Sequence, residues 1–271
     1  ITIATDNFKI QIGKGGFGPV YYGKLEDGRE VAVKILDVKS SQGPSEFFNE
    51  VDVLSRVRHR NLVSLIGYCL EDDQKILIYE YMHNGSLYDH LYVMLYKHYF
   101  GITGVEYLHS GCNPSIIHCD VKTSNILLPS DMKNAKVANF GLSRLTYGEN
   151  ITHITTNVKG TAGYIDPKYL TSQCLSVKSD VYSFGVVLLE IISRRKAIDT
   201  TLPNREVWNL CDWVSYNHVR FNLQEGNIYK ILDPIVKASN PNLDSVWKVV
   251  EITIQCVEPK VTHRPIMSKV V

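Results

Sequence analysis

At 271 residues, with 44% hydrophobic and 21% charged side chains, the chain has material for more than one small core and the balance of an ordinary globular protein. A net charge of +1, with no basic block and no acidic tail, gives no reason to expect nucleic acid or anionic lipid as the main partner. Six cysteines, scattered without a C-x-x-C pair or metal-ligand spacing, argue for free, mostly buried thiols over three disulfides, and so for the inside of a cell.

Ile1 to Phe8 is mixed and polar and does not read as a signal peptide. Strands follow. Gly13-Lys-Gly-Gly-Phe-Gly18-Pro-Val20 leads into Tyr21–Leu25, and Asp27-Gly28 before Arg29-Glu-Val-Ala-Val signals a two-residue hairpin. Val31, Val33 and Ile35 alternate with Ala32, Lys34 and Leu36, and Lys75–Tyr81 is a second β-branched run. Between them Phe47, Val51, Leu54 and Val57 recur at helical spacing, just after Gly43-Pro44.

From about residue 87 the texture turns helical. Leu91, Leu95, Ile102 and Leu108 predict one stripe, weakened by Gly101 and Gly104. The longest apolar run, Val181–Ile192, is interrupted by Ser183 and Glu190; it is too short to span a bilayer and predicts a buried helix, with another over Val246–Cys256. The chain as given is therefore expected to be soluble. The fold class is α+β, a small β-rich lobe followed by a larger helical one, with the boundary near Met82–Ser86.

Chemistry concentrates in four places. The glycine pattern G-x-G-x-x-G-x-V lets two strands turn tightly so that backbone N–H groups approach phosphate oxygens. A dinucleotide fold is disfavoured, because a strand, not a helix, follows Gly18. Lys34 within an alternating strand ordinarily faces solvent, yet with Glu50 on the next helix it supplies the pair that holds α- and β-phosphates. His118-Cys-Asp120-Val-Lys122-Thr-Ser-Asn125 fits H-x-D-x-x-x-x-N: Asp120 can take the proton of a substrate hydroxyl, and Asn125 can offer an oxygen to magnesium. Asn139-Phe140-Gly141 closes the series.

With these motifs in this order, the chain resembles protein kinases over essentially its whole length, and within them the receptor-like group related to the Pelle and interleukin-receptor-associated kinases. Ile3-Ala-Thr-Asp-Asn-Phe8 looks like that group's lead-in, Lys122 and Thr161 in Gly160-Thr-Ala-Gly-Tyr164 like its serine/threonine signatures, and His263-Arg264-Pro265 like its closing one. Asn61–Cys69 and Tyr81–Leu87 are similar to plant receptor-like kinases with malectin-like and leucine-rich ectodomains. The resemblance implies a bilobal kinase fold: a juxtamembrane lead-in over 1–12 and a kinase domain over 13–271, split into lobes at 13–82 and 83–271, with the last helix truncated. It implies ATP contacts from Gly13, Gly15, Gly16, Gly18, Val20, Ala32, Lys34, Glu80, Met82 and Leu127, with Tyr79 as gatekeeper. Catalytic roles fall to Lys34, Glu50, Asp120, Lys122 and Asn125, metal ligation to Asn125 and Asn139, and bracing of the catalytic loop to Asp180. The partners are ATP and protein substrates or a partner kinase, with a membrane reached only through a segment outside this chain, which places the domain on the cytoplasmic side of the plasma membrane.

Four departures bear on function. Asn139 stands where the family has a magnesium-binding aspartate, so one charge is lost and weakened Mg²⁺ binding is expected. Cys119 replaces an arginine that reads activation-segment phosphate, which predicts control without such a phosphate. Lys168 replaces a glutamate that pairs with Arg264; two cations without a partner are expected, unless Lys168 swings to solvent. Tyr92–Gly104 is shorter than the family's loop and helix, whether rebuilt, lost or skipped in the gene structure. The expected function is an ATP-dependent serine/threonine kinase with impaired catalysis. The alternatives are a pseudokinase acting as a regulatory docking module and, third, a non-functional fragment.

Overall fold

Period-two alternation builds the first layer, and it does so with different company on each face. The structure, a computed structural model, describes residues 1–15, 18–36, 43–71, 74–91, 102–147, 153–203, 208–215, 228–238 and 242–271. Strands β1 (Gln11–Gly15), β2 (Gly18–Lys24), β3 (Glu30–Leu36), β4 (Leu65–Glu71) and β5 (Gln74–Glu80) form one antiparallel sheet in the order β1-β2-β3-β5-β4. On its outer face Val31, Val33 and Ile76 are buried under Ile1, Phe8 and Leu25 of the flanking chain. The lead-in is tied down there: Ala4 O accepts from Lys24 N at 2.7 Å, and Phe8 meets the Tyr21 ring edge-on. On the inner face Leu36, Leu77 and Tyr79 join the main core together with α1 (Gly43–Arg56), which buries Phe47, Val53 and Leu54.

The β2–β3 turn differs from the two-residue loop expected of Asp27-Gly28. Leu25 N donates to Arg29 O and Gly28 N to Leu25 O, both at 2.9 Å, so Glu26, Asp27 and Gly28 make a three-residue loop. Gly28 at φ +86° supplies the left-handed step that such a loop requires.

After β5 the chain turns helical, with α2 (Leu87–His90) capped by a reciprocal Ser86–Asp89 box. Of the single stripe predicted through Leu91, Leu95, Ile102 and Leu108, the described residues show only the two ends. α3 (Ile102–Glu106) runs straight into a π-type turn over Tyr107–Gly111. Leu95, Gly101 and most of the shortened stretch lie outside the described residues. Gly104, taken from the sequence as a weakness, is required: a Cβ there would stand 2.4 Å from the Asn61 carbonyl oxygen.

Short strands β6 (Ser115–Ile117), β7 (Ile126–Leu127), β8 (Lys136–Val137) and β9 (Arg144–Thr146) pair as β6–β9 and β7–β8, flanking the loop 118–125. Further on come β10 (Ile154–Thr155), α4 (Pro167–Ser172), β11 (Cys174–Leu175), α5 (Val177–Ser193), α6 (Leu210–Ser215), α7 (Pro234–Ala238) and α8 (Leu243–Cys256). α5 is the buried helix expected of the apolar run. Its polar interruptions are satisfied: Ser183 Oγ donates to Tyr164 O, and Glu190 accepts from Tyr164 Oη, Thr123 Oγ1 and Ala197 N. All six cysteines are free thiols, Cys211 and Cys256 fully buried and the other four half-buried. Among the described residues no helix is long and apolar enough to cross a membrane.

Candidate active site

The glycine-rich turn stands over the cleft as a hairpin, Gly13 opposite Val20 and Gly15 opposite Gly18. Gly18 at φ +126° is in a conformation other residues rarely adopt, and a Cβ on Gly15 would meet nothing within 4 Å, so the strand edge faces open space. Gly16 lies outside the described residues. Register then places Val20 opposite Lys34 and Tyr22 opposite Ala32, so Val20, Ala32 and Lys34 come from adjacent strands.

Lys34 is 9% exposed, not on a solvated face. Its Nζ donates to Glu50 Oε2 at 2.9 Å and to Asn139 Oδ1 at 3.2 Å. Glu50, 1% exposed, uses Oε1 to accept from Phe140 N at 3.1 Å. One carboxylate thus joins β3, α1 and the Asn139–Gly141 run.

The loop 118–125 is hung from α5. Asp180, 1% exposed, accepts from the backbone N–H groups of His118 (2.7 Å) and Cys119 (2.9 Å). These bonds hold Cys119 at φ +70° and turn Asp120 inward. His118 is buried, and that burial pushes its pKa down, so the ring is neutral; its Nε2 pairs with Ala138 O and its Nδ1 accepts from Asp120 N. Burial also pushes the Cys119 thiol well up, so it carries no charge at neutral pH.

Around Asp120 the donors converge. Thr161 Oγ1 donates to Oδ1 at 2.5 Å, while Asn125 Nδ2 (2.8 Å), Lys122 Nζ (3.0 Å) and Asn139 Nδ2 (3.2 Å) share Oδ2. Lys122 Nζ also donates to Thr161 Oγ1 at 2.7 Å. Asn125 gives its remaining hydrogen to Asp120 O, which leaves its Oδ1 as the end available to a cation. Asn139 has both ends engaged, its oxygen by Lys34 and its nitrogen by Asp120. The donor set offered to a divalent cation is therefore two neutral amide oxygens. Among the described residues no three His, Cys, Asp or Glu side chains gather to hold a metal.

At the back of the cleft Tyr79 is 7% exposed, with its hydroxyl unbonded among the described residues and its pKa raised, mainly by burial. Glu80 is braced, its carboxylate accepting from Lys136 Nζ at 2.7 and 2.9 Å and from Ser64 N at 2.7 Å. Met82 O accepts from Gly85 N, whereas Met82 N–H makes no hydrogen bond among the described residues. Leu127, opposite Lys136 in the β7–β8 pair, is half-buried beneath this strip.

Arg264 corrects an expectation. It is 2% exposed but not unpaired: Nη1 and Nη2 donate to Asp166 Oδ2 and Oδ1 at 2.7 and 2.8 Å. Asp166 caps α4 and lies two residues before Lys168, so its carboxylate fills the place that glutamate was expected to take, and Lys168 is exposed. Sequence reasoning also missed Asn49, whose Nδ2 lies 2.9–3.0 Å from the carbonyls of Phe140, Gly141 and Ser143, and Glu46, a buried carboxylate four residues before Glu50. The i, i+4 spacing of the two glutamates was the available signal for Glu46; for Asn49 there was none.

A five-stranded sheet over a helical body, with a buried lysine–glutamate pair facing an inward-turned H-x-D loop, defines a protein-kinase domain. The family described as protein tyrosine and serine/threonine kinase matches residues 7–271, and the chain belongs to it. It is 50% identical over 279 residues to a probable LRR receptor-like serine/threonine-protein kinase of Arabidopsis thaliana, covering 99% of this chain and 29% of that protein. It is 44% identical over 283 residues to the nodulation receptor kinase of Pisum sativum, covering 100% of this chain and 30% of that protein. The chain thus spans about three tenths of the length of the curated relatives it matches.

Proposed function

We propose that this chain is the ATP-binding kinase domain of a receptor-like serine/threonine kinase, on the cytoplasmic side of the plasma membrane, and that its phosphoryl transfer is impaired at Asn139. Identity to relatives named as LRR receptor-like serine/threonine-protein kinases supports the first part. The observation that carries the second is the Asn139 amide, a neutral bridge from Lys34 to Asp120 where a metal-binding carboxylate is expected.

In this reading Lys34, fixed by Glu50, holds the α- and β-phosphates under the glycine turn, and Met82 N–H meets the adenine edge. Asp120 accepts the proton of a substrate hydroxyl as that oxygen bonds to the γ-phosphorus and the bond to the β-phosphate oxygen breaks, releasing ADP. Lys122, between Asp120 and Thr161, offers positive charge to the transferring group. Two neutral amide oxygens do not fit a tightly held magnesium ion.

The test is autophosphorylation. Wild type is expected near background, and Asn139→Asp is expected to raise it at least about tenfold, or roughly 1.4 kcal/mol off the barrier. Asn139→Asp with Asp120→Asn should return it to background. Wild-type activity equal to the repaired protein would overturn the impairment.

A regulatory docking module is the second reading, favoured by one observation: both ends of the Asn139 amide are engaged, by Lys34 and by Asp120. Failure of both proteins to transfer phosphate while folded would favour it.

A further inference from the structure

Three backbone carbonyls, those of Phe140, Gly141 and Ser143, converge on one donor, Asn49 Nδ2 of α1. An amide nitrogen has two hydrogens, so one is shared, and an acceptor at this position would face three oxygens. One turn earlier on α1 stands Glu46, 2% exposed, with neither carboxylate oxygen hydrogen-bonded among the described residues. Lys159 Nζ forms an ion pair with it at 3.7 Å. Burial pushes the Glu46 carboxyl up, and the charges of Lys159 and Lys34 pull it back.

These two side chains of α1 thus reach both arms of the segment that frames Asp120. Asn49 takes the arm that follows Asn139. Glu46 takes the arm ending at Thr161, whose hydroxyl reaches Asp120. Close approach of the first arm depends on Gly141, where a Cβ would stand 3.2 Å from Glu46 Cβ. Cys119, neutral and half-buried beside the second arm, supplies no charge that could order the segment around a phosphate.

We propose that Asn49 and Glu46 are positioning residues which dock residues 140–143 and 159–161 on α1 with no phosphate on the chain. This deepens the proposed function by naming what orders its site. The readout below needs no phosphoryl transfer, so the two readings fail separately.

Hydrogen exchange on the full chain after phosphatase treatment tests the idea, following peptides over 140–146 and 158–164 with α8 as internal reference. Wild type is expected to protect both segments, unchanged by the phosphatase. Asn49→Asp, equal in size but an acceptor, is expected to speed exchange over 140–146 by at least about tenfold while α8 is unchanged; Asn49→Gln, which keeps the donor, restores most of the protection. Lys159→Gln, at a partly exposed site that threatens folding less, is expected to speed exchange over 158–164 only. Adding Glu46→Gln to it should recover part of the loss, by removing a buried charge that has lost its ion-pair partner. Protection in wild type that appears only after phosphorylation would overturn the proposal. So would unchanged exchange in Asn49→Asp, or an equal rise in α8, which would mark a general loss of stability.

Discussion

Asn139 sits at φ +72°, a conformation asparagine tolerates better than most side chains, and its amide touches a cation on one side and a carboxylate on the other. An aspartate in the same place would bring a second carboxylate against Asp120 Oδ2, now 3.2 Å from Asn139 Nδ2. Two like charges that close need a cation between them. The amide donates instead of repelling, so the arrangement is stable without metal. Thermal-shift titration is expected to show that ATP alone stabilises the protein and that Mg²⁺ adds less than about 1 °C, while in Asn139→Asp Mg²⁺ adds about 2–3 °C, as a tenfold affinity gain would. A large Mg²⁺-dependent gain in wild type would show that the two amide oxygens suffice.

At the scale of elements, Gly104 shows how a local rule and a tertiary contact compete. Alanine in a helix is worth about 1 kcal/mol over glycine. Here its Cβ would stand 2.4 Å from Asn61 O and 2.9 Å from Leu62 Cδ2, and a backbone oxygen cannot swing aside. Overpacking of that kind costs about 1–3 kcal/mol or more, so Gly104→Ala is expected to destabilise by about 1–2 kcal/mol net in urea unfolding. A gain in stability would mean α3 moves freely off Asn61. The same competition explains what the sequence made legible. Alternation in Val31–Leu36, the helical spacing of Phe47, Leu54 and Val57 and the apolar run of α5 are local signals strong enough to survive packing. Lys34, Glu50, Asp120, Lys122, Asn125 and Asn139 stand at fixed motif spacings, and the fold brings them together. Asn49 and the contact from Thr161 to Asp120 were not legible, because a polar side chain's partner depends on which distant backbone arrives beside it.

Across the whole molecule, Asp166 and Arg264 fasten the end of the chain to the middle of the helical lobe. Asp166 also accepts from Lys168 N and from Ser179 Oγ at the start of α5, and Arg264 Nε donates to Glu258 O. With side chains 2% and 0% exposed, this pair cannot lose one member cheaply. Asp166→Asn is expected to cost about 3–5 kcal/mol, a fall of roughly 5–9 °C in Tm. Lys168→Glu, at an exposed position with no vacancy beside Arg264 to fill, is expected to shift Tm by about 2 °C or less. A rise of several degrees in that variant would mean the glutamate displaces Asp166 from the arginine. The lead-in has a different kind of consequence. Because Ile1 and Phe8 cover Val31, Val33 and Ile76, and Ala4 is bonded to Lys24, a pull applied at Ile1 loads the outer face of the sheet before any other part of the fold. Such a force would be felt first on the side of the sheet away from Lys34, so tension reaches the lead-in before it reaches the chemistry.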